Sequence, residues 1–223
     1  MRLKITASLL RSAVTLGVFW LTFSGTPHPP IAVAQKAPAA ATSAAALVAE
    51  VRRSFTLHGK TIPPEIFRDF GDGDLADSGA IWVTVDAAAA IDSNLYFDPI
   101  RADGRWRFQK KQRLTTDLPE ETAYGFYGST ANGLLVVLAS YNGGGSGTFY
   151  TLHILDVAAG AGFDLEGERY QRINLTNIRS VVLGDRWAGE LKVSGNAVRV
   201  ITTRNGPADD SARAPFTIIA ERP

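Results

Sequence analysis

The chain has 223 residues, 45% of them hydrophobic and 20% charged, with a formal net charge of +1. The absence of cysteine excludes disulfides and thiolate zinc sites, and beyond residue 34 only two histidines, His58 and His153, remain, far apart in sequence, which makes any other zinc site a poor fit. The near-neutral balance excludes the strongly basic surface that nucleic-acid binding demands.

The first expected element is an export leader. Met1, Arg2, Lys4 and Arg11 make a cationic start, and an apolar stretch runs from Ser12 to Phe23. That length fits the core of a secretory signal and falls short of the ~20 residues needed to span a bilayer. Gly25, Pro27, Pro29 and Pro30 break the stretch, and Ala32-Val33-Ala34 puts small side chains where a signal peptidase inspects them. Cleavage is therefore expected between Ala34 and Gln35, with residues 1–34 as signal peptide and a periplasmic or secreted bacterial product that no longer spans a membrane. No cysteine is present to carry a lipid. The leader holds three of the 23 basic residues and none of the 22 acids, which leaves a mature charge of −2. The pI near 8.0 belongs to the precursor.

Residues 35–53 read as an alanine-rich lead-in and a short helix. Ser43 is a candidate cap, Leu47, Val48 and Val51 share one face, and Arg52-Arg53 suit the helix C-terminus. Residues 54–223 read as a single β-rich domain. Pro64–Phe70 is the other helix candidate, with Pro in the first turn and Gly71 as its stop. Ile81–Asp86 has high β-propensity. Arg105–Gln109 alternates after an Asp103-Gly104 turn signal, and Tyr124–Ser129 and Leu134–Ser140 flank Asn132-Gly133. Leu134–Leu138 is apolar on both faces and is expected in a sheet interior. Phe149–Val157, Tyr170–Leu175, Arg179–Gly184, Glu190–Ser194, Ala197–Thr203 and Phe216–Ala220 complete the strands. Short strands with turn residues between them predict an all-β antiparallel sandwich or barrel-like domain with one or two short N-terminal helices.

Three features carry possible chemistry. Asp69, Asp72, Asp74 and Asp77 cluster around Gly71 and Gly73, a carboxylate-rich turn of the kind calcium accepts. Asp72, Asp74 and Asp77 are the candidate metal ligands, although the spacing does not follow the calcium-loop consensus and turns select the same residues. Gly143–Gly147 has no lysine or Ser/Thr in the phosphate-loop pattern, so a hairpin is expected there. Arg101–Arg113 is basic, with Trp106 and Phe108 alternating against arginines. Arg105, Arg107 and Lys110 are the candidate anion-binding residues, the partner being an anionic envelope polymer or a lipid headgroup. His153 and Asp156 stand three apart on a strand and face opposite ways, and no nucleophile-elbow pattern is present.

Gly59-Lys60-Thr61-Ile62-Pro63-Pro64, Ser93-Asn94-Leu95-Tyr96, Gly143–Phe149 and Leu183-Gly184-Asp185-Arg186 ahead of Gly189-Glu190 follow one another along the chain. Their order resembles an uncharacterised family of exported bacterial β-rich proteins with no established activity. The resemblance covers most of residues 55–204 and implies an exported β domain, without implying catalytic residues. The reading that follows is a periplasmic, non-catalytic binding or envelope-associated module without a cofactor. The alternatives are a hydrolase using Asp72, Asp74 or Asp77 on envelope material, or a calcium-stabilised structural domain.

Overall fold

Helix α1 (Ala44–Ser54) begins where Ser43 accepts a hydrogen bond from the Ala46 N–H at 3.2 Å and ends at Phe55, which takes φ 54° and donates its N–H to the Val51 carbonyl. This is the capping pattern expected of Ser43, with Leu47 and Val51 on the buried face and Arg52 and Arg53 in the last turn. A bulky residue in the left-handed region is strained, and here burial offsets the cost. Phe55 is 1% exposed, with its ring 5.1 Å from Tyr124 and 5.5 Å from Phe126. The computed structural model describes residues 43–70, 83–92, 97–111, 119–204 and 214–222.

Strands β1 (Thr56–Leu57) and β2 (Lys60–Thr61) form a hairpin whose turn residues, His58 and Gly59, both have positive φ. The Glu50 carboxylate holds that turn, accepting from His58 N–H at 3.1 Å, Gly59 N–H at 2.8 Å and the Thr56 hydroxyl at 3.0 Å. Burial pushes the Glu50 pKa up, but these hydrogen bonds together outweigh it and hold the carboxyl below its ordinary value. Helix α2 (Ile66–Asp69) follows Pro63-Pro64, whose carbonyls accept the first turn's N–H groups.

The main sheet is antiparallel and seven-stranded. Its members are β3 (Thr84–Asp86), β4 (Arg101–Asp103), β5 (Trp106–Lys110), β6 (Glu121–Ser129), β7 (Leu135–Asn142), β8 (Phe149–Phe163) and β9 (Arg169–Asp185), in the order β3-β9-β8-β7-β6-β5-β4. Helix α3 (Ala87–Asp92) follows β3 directly. Strands β10 (Ala188–Ser194), β11 (Ala197–Arg204) and β12 (Phe216–Ile219) make a second sheet.

Period-two alternation sends the central strands' side chains into two cores. Leu135, Val137, Leu155, Val157, Ile173 and Leu175 pack under the helices and the β1–β2 hairpin. Leu134, Val136, Leu138, Leu152 and Ile154 pack against Leu191, Val198, Val200 and Ile218 of the smaller sheet. The fold is mainly β, with sheet packed on sheet and the helices covering the outer face of the larger sheet. The two end strands of the larger sheet, β3 and β4, do not pair with each other, so this sheet is open and not a barrel.

Several boundaries differ from the sequence reading. Tyr170–Leu175 and Arg179–Gly184 belong to one strand, because β9 pairs along the whole of β8 and absorbs its irregular residues as register shifts beside Ile154/Leu155 and Tyr150/Thr151. Strand β8 runs to Phe163 through Ala158–Gly162, a stretch of poor β-propensity that pairing with β9 makes extended. Of Ile81–Asp86, only Thr84–Asp86 is a described strand, and Ile81 and Trp82 lie outside the described residues. The β4–β5 turn is Gly104-Arg105, so Arg105 stands in a turn and not on the strand.

Candidate binding surface

The sequence's basic segment folds into the β4–β5 hairpin at one end of the large sheet. Because Arg105 occupies the turn, the cations separate. Arg107 pairs opposite the buried Tyr124 on the helix-covered face and donates to the carbonyls of Gly104 and Trp106, each at 2.9 Å. Arg105 lies over the Tyr127 ring, 4.5 Å from its centroid, on the side of the smaller sheet. Lys110 stands opposite Glu121 at the far end of β5. Arg105, Arg107 and Lys110 therefore do not form a single cationic face, since a turn residue is released from the strand's alternation.

The same hairpin assembles something the sequence reading did not single out. Trp106 and Phe108, two apart on β5, share a face with their rings 6.1 Å apart and 30° from parallel. Tyr150 of β8 stands edge-on to Trp106 at 6.2 Å, and Trp187 follows Tyr150 at 6.2 Å. Tyr127 of β6 flanks the strip. Gly125 lies beneath both rings: a Cβ built there would stand 3.4 Å from each, at ordinary van der Waals contact. Trp106, Phe108, Tyr127 and Tyr150 are each half-buried, and Trp106, Tyr127 and Tyr150 pack against the core beneath the smaller sheet.

Arg101 extends along this strip. Its guanidinium lies 5.5 Å from the Phe108 centroid, it pairs with Glu121 at 2.9 Å, and its side chain is 64% exposed. By cross-strand register Asp103 and Glu121 share this face with Arg101 and Lys110, so with Arg105 there are three cations against two carboxylates. Burial raises the pKa of both Tyr127 and Tyr150, an effect that Arg105 opposes at Tyr127 and that Tyr127 reinforces at Tyr150, so both phenols keep their protons at neutral pH. The strip therefore offers neutral aromatic rings and guanidinium groups side by side.

On the opposite face of the sheet, His153 is 2% exposed beneath α2, 5.4 Å from the Phe67 ring and 5.8 Å from Phe70. Its Nδ1 lies 3.0 Å from the Ser180 hydroxyl, which accepts from Asn177 Nδ2 at 2.7 Å, leaving the serine's own proton for His153. Burial drives the imidazole pKa down to about 4, with a smaller opposing effect from Asn177. An imidazole so weakly basic is a poor proton acceptor at neutral pH, and the His153–Ser180 bond reads as a satisfied buried pair.

The Gly143–Gly147 run is the β7–β8 hairpin loop, as expected. The Asp185 carboxylate accepts from Thr148 N–H at 2.8 Å, and Arg186 Nε donates to the Ser146 carbonyl at 3.0 Å. Asp72, Asp74 and Asp77, and the cleavage residues Ala34 and Gln35, lie outside the described residues. Among the described residues no group of three His, Asp or Glu side chains is placed to hold a metal ion, and no helix is long and apolar enough to cross a membrane.

Trp106 and Phe108 were visible in the sequence as an alternating pair. Tyr127 and Tyr150 join them only because β5, β6, β7 and β8 pair in that order. The chain matches no protein-family model, and no curated protein or solved structure is significantly similar to it.

Proposed function

We propose that the protein is an exported, periplasmic, non-catalytic binding module that holds an anionic glycan of the cell envelope on the strip formed by Phe108, Trp106, Tyr127 and Tyr150. The observation that carries this reading is the placement of half-buried aromatic rings between Arg101 and Arg105 on an otherwise well-packed sheet. Such rings present an electron-rich face that suits the C–H face of a sugar ring, and the guanidinium groups supply charge-assisted hydrogen bonds to carboxylates. Two carboxylates on the same face reduce the electrostatic contribution, so stacking carries the larger share of the affinity.

The test is isothermal titration of the mature chain with a polyuronate, against a neutral glucan of similar length. The polyuronate is expected to bind more tightly than the glucan. Trp106→Ala is expected to weaken binding about tenfold, as the loss of one stacked ring implies. Arg101→Ala with Arg105→Ala is expected to weaken it severalfold and to flatten its dependence on salt. Unchanged affinity in Trp106→Ala, or no polyuronate binding by the wild type, overturns the proposal.

A further inference from the structure

A recess lies on the other face of the sheet, where α2 ends. It encloses about 470 Å³. Its wall is Phe67 and Arg68, and its floor runs from Thr151 to Tyr141, Phe149 and Val182, with His153 at the inner end. Phe149 is 56% exposed, Val182 48% and Tyr141 37%, so large apolar side chains bare to solvent gather along this one cleft. A pocket of this size, mostly apolar with a few converging polar groups, has the build of a small-molecule site.

The charge at its rim selects the ligand. Arg68 pairs with Glu120 at 3.1 Å, and the same carboxylate takes Lys111 at 3.4 Å. Among the described residues, two cations thus share one acid at this rim, and the Arg68 side chain, whose guanidinium also lies 5.9 Å from the Phe97 ring centroid, remains 36% exposed. At the Phe149 end, Asp185 is already engaged by Thr148 N–H and lies 3.9 Å from Arg186. The interior itself is neutral: Thr122, Thr151 and a buried imidazole that already shares a hydrogen bond with Ser180.

We propose that this cleft binds an amphipathic carboxylate, its single apolar chain lying along Phe67, Phe149 and Val182 and its carboxylate meeting Arg68. The site is separate from the aromatic strip and does not depend on it.

The test is titration of the mature chain with dodecanoate, dodecanol and dodecylamine. Dodecanoate is expected to bind at micromolar levels and at least about tenfold more tightly than either of the others, the ratio that one charge-assisted hydrogen bond of about 1.5 kcal/mol supplies. Arg68→Met is expected to remove that preference while leaving dodecanol unchanged. Thr151→Trp, which fills the floor, and Val182→Asp, which charges a half-exposed position, are each expected to abolish binding of all three ligands. Trp106→Ala is expected to leave dodecanoate binding unchanged, which separates this site from the strip. Equal affinity for dodecanoate and dodecylamine, or full dodecanoate binding in a correctly folded Val182→Asp protein, overturns the proposal.

Discussion

Acidification tests the packing of His153 most directly. The folded imidazole has a pKa of about 4 against 6.5 for an ordinary one. Because the folded value is depressed, the unfolded chain takes up its proton first as the pH falls. The stability gained by burying a neutral ring is thus fully present above about pH 6.5, declines below that, and is gone beneath about pH 4. At about 1.36 kcal/mol per tenfold change in proton affinity, the gap amounts to about 3 kcal/mol, most of it lost by about pH 4.5. The ring is 2% exposed, so solvent screening takes little from this figure. The assay is urea unfolding followed by tryptophan fluorescence, at steps between about pH 7.5 and about pH 4.5, on wild type, His153→Gln and His153→Leu. Both variants start lower at neutral pH, because the hydrogen bond between Ser180 and the imidazole and the ring's packing against Phe67 and Phe70 are lost, although Ser180 keeps its bond from Asn177. Between the two ends of the series each is expected to lose about 2–3 kcal/mol less than wild type. Glu50, whose folded pKa is also depressed, stabilises above its unfolded value and loses that contribution at lower pH, equally in all three proteins. Parallel pH profiles for wild type and both variants would refute the reasoning.

Two further substitutions test the framework. Phe55→Ala removes the ring that joins α1 to Phe67, Tyr124 and Phe126 and is expected to cost about 3–5 kcal/mol, read as a fall in the urea midpoint. Gly189→Ala drives a Cβ into the Ile201 carbonyl oxygen and the Trp187 ring. It is expected to destabilise by about 3 kcal/mol in the same assay, and a loss under about 0.5 kcal/mol would show that the register shift beside it adjusts freely.

Much of the architecture was legible locally. Ser43 capping, the Leu47/Val51 face and Arg52-Arg53 specify α1, because a helix end is satisfied by residues within one turn. Leu134–Leu138, apolar at every position, reads as a strand covered on both sides, and these residues are at most 1% exposed. Gly195-Asn196 turns β10 into β11 as its residues dictate. The boundaries that departed from the sequence reading were those set by a neighbour. Ala158–Gly162 have no preference for extension until β9 lies beside them, and Ile178 breaks no strand because a bulge takes it up.

The sites divide in the same way. Alternation alone determined that Trp106 and Phe108 share a face, since side-chain direction along a strand follows from backbone geometry. Which rings stand next to them depended on sheet order, which is decided by contacts far apart in the chain. Strand pairing brought Tyr127 and Tyr150 to Trp106, a turn took Arg105 away from Arg107, and helix packing set Phe67 over His153. Hydrophobic pattern is a property of a segment, whereas a binding surface is a property of neighbours, and neighbours exist only once the chain has closed its sheets.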